Sequence, residues 1–176
     1  MKFFSFIGSL IDRLFVVAGA FIGSQIPLFM QQYRQRLAGH VDALQKLINQ
    51  LHQIASISQK NLDQYIQKFK ENSDPDFNRQ GDFMQGIVVR LQELQQALEH
   101  LTQSPFWLRP YYFFKDIQSD IAQSTLDSFQ AGFNLTVEGL CYAGGGMILG
   151  WALYQMISKC FIFGCKRAQS IFKQNV

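Results

Sequence analysis

The sequence predicts an all-α membrane protein in which two transmembrane helices, one near each end, flank an antiparallel helical hairpin or coiled coil outside the membrane. Three observations predict this fold class. Only 16% of the 176 residues are charged, although 48% are hydrophobic. Two uncharged stretches near the ends are long enough to cross a bilayer. Between them, apolar residues recur in alternating steps of three and four, which places them along one side of a helix.

The first uncharged stretch is Leu14–Met30, and Asp12 and Arg13 are the only charged residues between positions 3 and 30. About 20 residues at ~1.5 Å each cross ~30 Å of hydrocarbon, so the segment is long enough if these two charges lie at headgroup level. A cleaved signal peptide is the alternative, but the small-residue site at 18–20 lies inside the apolar run rather than at its end. We therefore expect an uncleaved transmembrane helix over residues 1–33.

The second uncharged stretch is Gly139–Ser158. We expect a transmembrane helix over residues 136–165, followed by a basic cytoplasmic tail over residues 166–176. The alternative is a core helix of a soluble protein, which two such stretches at opposite ends of a short chain disfavour. The chain has three cysteines, all in this C-terminal region, and their spacing offers neither a disulfide framework nor a metal site.

Each stretch contains two glycines four residues apart, which therefore share one helix face. They are Gly19 and Gly23 in the first stretch and Gly146 and Gly150 in the second. This spacing predicts close helix packing in the membrane, either within one chain or between copies. Gln25 and Pro27, near the end of the first stretch, predict a kink or a polar contact.

Charge asymmetry predicts the orientation in the membrane. The two end segments carry six basic residues and one acidic residue, whereas residues 31–138 carry 10 basic and 12 acidic residues. Because basic residues near membrane spans favour the cytoplasm, we expect both termini in the cytoplasm. The central region then lies outside, which in a Gram-negative cell is the periplasm.

Between the spans, the pattern of apolar residues over 34–135 predicts three helices, at about 34–71, 77–103 and 111–130. The first apolar seam is interrupted by one polar residue, Ser58, and consists of Leu37, Val41, Leu44, Ile48, Leu51, Ala55, Ser58, Leu62, Tyr65 and Phe69. The second seam consists of Met84, Ile87, Leu91, Leu94, Leu98 and Leu101. The turn at 72–76 favours an antiparallel hairpin, although a parallel coiled coil between chains would use the same pattern.

An aromatic segment follows the second seam. Six aromatic residues occur between Pro105 and Phe114. Three interpretations stay open: a position at the lipid headgroups, a cap on the helical core, or a binding surface. The path of residues 105–135 relative to the membrane is also open.

Three sequence blocks resemble an uncharacterised bacterial membrane family, the domain of unknown function numbered 2937. The blocks are QIPxFxQQYxQRLxGH at 25–40, DPxFxxQG at 74–81 and NLTVEGxxYA at 134–143. Two positions depart from the family pattern: Ala131-Gly132 stands where the family usually has proline, and Arg34 replaces an apolar residue. The resemblance implies a small multi-pass protein of the bacterial inner membrane, and it implies no activity.

No catalytic motif or metal-ligand spacing is found in the sequence, so we expect no enzyme activity, no catalytic residue, no metal and no cofactor. One candidate polar cluster at the membrane surface combines Tyr33, Arg36 and His40 with Glu138. The simpler interpretation is a collar that anchors the first helix among headgroups.

The expected partners are the lipid bilayer and either a second copy of the chain or another membrane protein. We expect no nucleic acid, and we identify no small-molecule substrate. The sequence favours a non-enzymatic scaffold or interaction protein. The alternative is an accessory subunit or small oligomeric component of a membrane transport complex, although neither span carries a central charge of the kind that ion routes need.

Overall fold

A computed structural model describes residues 2–132 and 136–174, with side chains for residues 10–132 and 136–159. The protein is 85% helical, and no strand occurs in this part of the chain. Six helices follow one another in residues 2–132 and 136–174: α1 (Lys2–Ile57), α2 (Leu62–Lys70), α3 (Pro75–Gln103), α4 (Arg109–Lys115), α5 (Ser119–Asp127) and α6 (Val137–Gln174).

The helices form two compact units. The terminal unit consists of Met1–Phe29 with Gln130–Val176, and the central unit is Met30–Phe129. The bounds of the central unit are similar to those of the region expected over 34–135, whose position outside the membrane stays a prediction. In the terminal unit, α6 continues to Gln174, so the backbone of the expected 166–176 tail is helical as far as that residue. Asn134 of the third sequence block and the side chains of Cys160 and Cys165 lie outside the described residues.

The core of the central unit follows the two apolar seams. In the first seam Leu37, Val41, Ile48, Ala55 and Leu62 are buried, while Leu44 and Leu51 are half-buried. On α3 the buried residues are Gly81, Met84, Ile87, Leu91, Leu94, Ala97 and Leu101. The second seam is therefore reproduced except at Leu98, which is half-buried beside the smaller, buried Ala97.

The expected helix over 34–71 is interrupted in the structure between Ile57 and Leu62. The reason is a local capping signal: the Asn61 side chain accepts a hydrogen bond from the Gln64 backbone N–H, and the Gln64 side chain accepts one from the Asn61 N–H. This capping box starts a new helix. Gln59, in the connecting turn, has a positive φ of 54°, which a continuous helix would not contain.

The expected helix over 111–130 is two short helices, α4 and α5. The non-helical residues between them are held by contacts with other helices. The Gln118 backbone N–H donates to the Tyr33 hydroxyl on α1, and the Asp116 carboxylate lies against His100 on α3. These tertiary hydrogen bonds fix a connection that local sequence periodicity does not reveal. The helix expected over 77–103 matches α3, which starts two residues earlier, at Pro75.

Candidate functional site

The four predicted glycines lie where α1 and α6 pack together in the terminal unit. A methyl group added at Gly146 would lie 2.9 Å from the Gly19 carbonyl carbon and 3.1 Å from the Gly23 Cα. One added at Gly150 would lie 3.4 Å from the Gly19 Cα and still closer to the backbone carbonyl of Phe15. Because the opposing atoms belong to the backbone, they cannot turn aside as a flexible side chain would. The absence of side chains at these positions therefore permits the contact, which lies within one chain.

Gln25 forms a paired hydrogen bond within the same unit. Its side-chain nitrogen donates to the Gly132 carbonyl oxygen at 3.1 Å, and its side-chain oxygen accepts from the Gly132 N–H at 3.1 Å. Both bonds are partly buried, and they hold the Gly132 backbone against α1. The structure thus shows the polar contact that the sequence offered as one of two interpretations of Gln25. Pro27 lies inside α1, where it leaves the Gly23 carbonyl without a helical N–H donor.

Tyr33 is at the centre of the polar contacts of the central unit. Its side chain is fully buried, and its ring packs edge-on against Phe113 of α4, with 5.1 Å between ring centroids. Its hydroxyl accepts the Gln118 N–H at 2.9 Å. One side chain of α1 therefore holds both α4 and the turn that leads into α5.

Arg90 of α3 extends these contacts. It donates to the Gln118 side-chain oxygen, pairs with Asp120 at 3.1 Å and lies 3.7 Å from Glu93. The Arg90 side chain is 36% exposed, so solvent screens these ion pairs and their contribution to stability is small. Their geometric effect is to orient the start of α5 against α3.

A second polar contact joins α3 to the end of α4. His100 Nδ1 lies 2.6 Å from an Asp116 carboxylate oxygen, and the His100 ring lies 4.8 Å from the Tyr112 ring. The Asp116 backbone N–H also donates to the Tyr112 carbonyl and caps α4. A histidine beside a carboxylate is a pair used in acid–base catalysis. Here the pair closes the end of a helix, and no described nucleophile donates to it.

The four residues of the candidate polar cluster have different surroundings. Tyr33 binds Gln118 as described, and Arg36 donates to the Ser128 hydroxyl at 2.6 Å. His40 is exposed on α1. Glu138 lies in the first turn of α6, in the terminal unit. A joint site made of all four residues therefore stays a prediction.

The sequence interpretation missed Gln118 and Ser128, which are the hydrogen-bond partners of Tyr33 and Arg36. It also missed the polar contacts made by Arg90, His100, Asp116 and Asp120. Arg90 had one detectable signal, since it is a charged residue that interrupts the apolar run Ile87–Leu91. Gln118 had none, because its contact with Tyr33 uses a backbone N–H that every residue except proline carries.

The described side chains contain no group of three His, Cys, Asp or Glu residues that could hold a metal ion. The expectations of no enzyme activity and no cofactor are not tested by this finding, and they stay predictions. The polar contacts described above join different helices of the central unit, which is an arrangement that positions helices.

Among the residues that the structure describes, two helices are long and apolar enough to cross a membrane. The most apolar 18-residue window has a mean hydropathy of 1.6 in α1 and 1.2 in α6. Only 17% of the first window and 11% of the second are buried inside the molecule. The other residues of the two windows are half-buried or exposed, so the described part of the molecule does not enclose either window in a core.

These observations define the class: an all-helical protein with two candidate membrane-spanning helices. A family model described as "Protein of unknown function (DUF2937)" matches residues 7–167, so the chain belongs to this family and the resemblance read from the three sequence blocks is confirmed. No curated protein and no solved structure matches the chain.

Proposed function

We propose that the chain is a non-enzymatic, two-span protein of the bacterial inner membrane, whose central unit acts as a scaffold for a second copy or another membrane protein. The observation that carries the proposal is the exposure of the two most apolar helix windows, of which only 17% and 11% are buried. A helix that is apolar all round needs either a protein core or a lipid environment around it. Since the described part of the chain supplies no core around these windows, a bilayer is the environment that fits.

The glycine contact supports the same proposal. In lipid, the hydrophobic effect does not drive helices together, so close van der Waals packing through small residues takes its place. Gly19 and Gly23 face Gly146 in this way, and each of the three lies within an uncharged stretch. The two helices of the anchor are therefore suited to pack on each other inside a bilayer.

We further infer that the central unit is built on an antiparallel helical hairpin, with α1 and α2 on one side and α3 on the other. Gly81 of α3 lies against Lys70 of α2, close to the turn. Gln95 of α3 donates to Gln45 of α1. Moving away from the turn, residue numbers fall from Lys70 to Gln45 along α2 and α1 and rise from Gly81 to Gln95 along α3. Residue numbers that change in opposite directions along two packed helices indicate antiparallel packing. The charge asymmetry of the sequence supports cytoplasmic termini and a periplasmic hairpin.

An exposed apolar residue on α3 provides the position at which the docking role is tested. Phe83 is 63% exposed and lies outside the buried stripe of the helix. Single exposed apolar residues are common on protein surfaces, so a crosslink formed from this position is what would demonstrate a docked partner.

The first experiment tests the membrane anchor and its orientation. Two versions of the full chain are made without native cysteines, one with Ser73→Cys in the α2–α3 turn and one with a cysteine added after Val176. In intact cells, an impermeant thiol reagent should label the first and leave the second unlabelled until the cells are broken. Extraction of the protein from membranes by alkaline wash without detergent would contradict the anchor. Labelling in the reverse order would contradict the orientation.

The second experiment tests the scaffold role. A photo-crosslinking amino acid replaces Phe83 in the full chain, and a matched variant carries it at Gln92, an exposed polar position of the same helix. We expect a discrete adduct from position 83 in native membranes, with either a second copy or one membrane protein, and none from position 92. The absence of any adduct at position 83 would contradict the docking role. An adduct with a transporter subunit alone would favour the transport class over a general scaffold.

A further inference from the structure

The segment around α4 presents large aromatic side chains on the surface of the central unit. Trp107 is 66% exposed, Tyr111 is 61% exposed and Phe114 is 75% exposed. Phe113 between them is only 7% exposed. Phe113 thus anchors the segment in the core, whereas three neighbouring rings are exposed. We call Trp107, Tyr111 and Phe114 the aromatic surface.

Two contacts hold the segment that carries this surface against Tyr33 of α1. The Phe113 ring packs on Tyr33, and the backbone N–H of Gln118, just after α4, donates to the Tyr33 hydroxyl. Tyr33 comes three residues after Met30, the last residue of the uncharged stretch. At 1.5 Å per residue, three residues advance about 4.5 Å along a helix. The aromatic surface is therefore held close to the point where α1 leaves its apolar segment.

The chemistry of the surface matches lipid headgroups. Trp and Tyr are enriched where a bilayer meets water, because each has an apolar ring with one polar group. Arg109 and Lys115 are the first and last residues of α4, and both are basic. The nearest acidic group in sequence, Asp116, is engaged by His100 at 2.6 Å. Basic side chains beside a membrane attract anionic headgroups.

We propose that the aromatic surface of α4 docks on the anionic headgroup layer beside the end of the first span. This docking would bind the central unit to the bilayer surface, in addition to its covalent attachment to the membrane spans. The inference rests on the proposed membrane anchor, and the experiment below separates the failure of one from the failure of the other.

The test uses tryptophan fluorescence of the full chain in vesicles of phosphatidylcholine and phosphatidylglycerol. The chain has two tryptophans, so Trp151→Phe leaves only Trp107, and Trp107→Phe leaves only Trp151, within the second uncharged stretch. Brominated phosphatidylcholines quench tryptophan on contact, with bromine either near the headgroups or near the bilayer centre. We expect shallow bromine to quench Trp107 more than deep bromine does, and bromine within the acyl region to quench Trp151.

The quenching results separate a failure of the docking from a failure of the membrane anchor. Quenching of Trp151 without quenching of Trp107 would overturn the docking and leave the anchor intact. Quenching of neither would contradict both. Blue-shifted Trp107 emission without quenching would show that protein, such as a second copy, covers the surface, and this would also overturn the proposal.

A charge variant tests the anionic component. In vesicles with a small fraction of phosphatidylglycerol, Lys115→Gln should lower the ratio of docked to undocked Trp107 about fivefold, since one basic residue near an anionic surface is worth roughly that factor. The matched control is Lys46→Gln on the exposed side of α1, which should leave the ratio unchanged. Equal effects of the two variants, or no effect of either, would overturn the role of anionic lipid.

Discussion

The terminal and central units make opposite use of side-chain size. In the terminal unit, α1 and α6 approach because Gly19 and Gly146 have no side chains, and their backbones are in contact. In the central unit, large side chains fill the space between helices, and Tyr33 and Leu94 are at most 2% exposed. One unit is thus organised by missing side chains and the other by buried ones.

This difference follows from the environments that we propose for the two units. In water, each buried aliphatic side chain stabilises the fold because its apolar area leaves the solvent. In lipid, an apolar side chain gains little by moving from acyl chains to a neighbouring helix, so close backbone contact matters more. The single helix α1 follows both rules in succession, with glycines at positions 19 and 23 and a buried aliphatic seam from Leu37 onward.

The largest effect is expected when a buried side chain of the central unit is truncated. Leu94→Ala should lower the opening free energy of α3 by about 2–5 kcal/mol, because it removes buried apolar area and leaves a cavity. Hydrogen exchange of backbone amides in detergent micelles reports this energy helix by helix. The matched control is Val89→Ala on the same helix, where Val89 is 43% exposed and a change within about 1 kcal/mol is expected. Equal losses for the two variants would contradict the assignment of the core.

An intermediate effect is expected when a glycine of the terminal unit is replaced by a larger residue. Gly146→Leu should reduce amide protection in α6 by about 1–3 kcal/mol, since the new side chain would meet the backbone of Gly19 and Gly23. Gly145→Leu is the control, because a Cβ at Gly145 meets nothing within 4 Å and the intrinsic gain in helix propensity is the same. Protection of α3 should be unchanged in both. If Gly145→Leu were as damaging as Gly146→Leu, the glycine contact would not be the cause.

Periodicity was sufficient to predict the helical class, the buried stripe of α3 and the glycine faces, because each depends on residues close in sequence. The start of α3 also had a local signal, since Asp74 and Pro75 are a typical N-cap and first residue. The break after Ile57 was detectable in principle from the capping box at Asn61 and Gln64, a signal that the longer heptad pattern concealed.

The separation of α4 from α5 could not be predicted in this way. It depends on Tyr33, which lies 85 residues from Gln118 in sequence, and on the pairing of His100 with Asp116. A hydrogen bond from a backbone N–H carries no residue signature, so only the three-dimensional arrangement reveals it. Arg36 and Ser128 join through their side chains, but they are 92 residues apart in sequence, so local periodicity does not pair them.

The smallest effect is expected when one hydrogen bond of the central unit is removed. Tyr33→Phe keeps the buried ring against Phe113 but removes the acceptor of the Gln118 N–H. The expected loss is about 1 kcal/mol, the usual net value of such a bond, and it should appear as faster amide exchange between α4 and α5. Tyr111→Phe makes the same chemical change at a side chain that is 61% exposed, and in micelles it should leave exchange unaltered. A Tyr33→Phe protein with unchanged exchange at Gln118 would show that packing against Phe113 alone fixes the turn. Faster exchange confined to that turn would show that the hydrogen bond to Tyr33, in addition to the packing of its ring, holds the connection between α4 and α5.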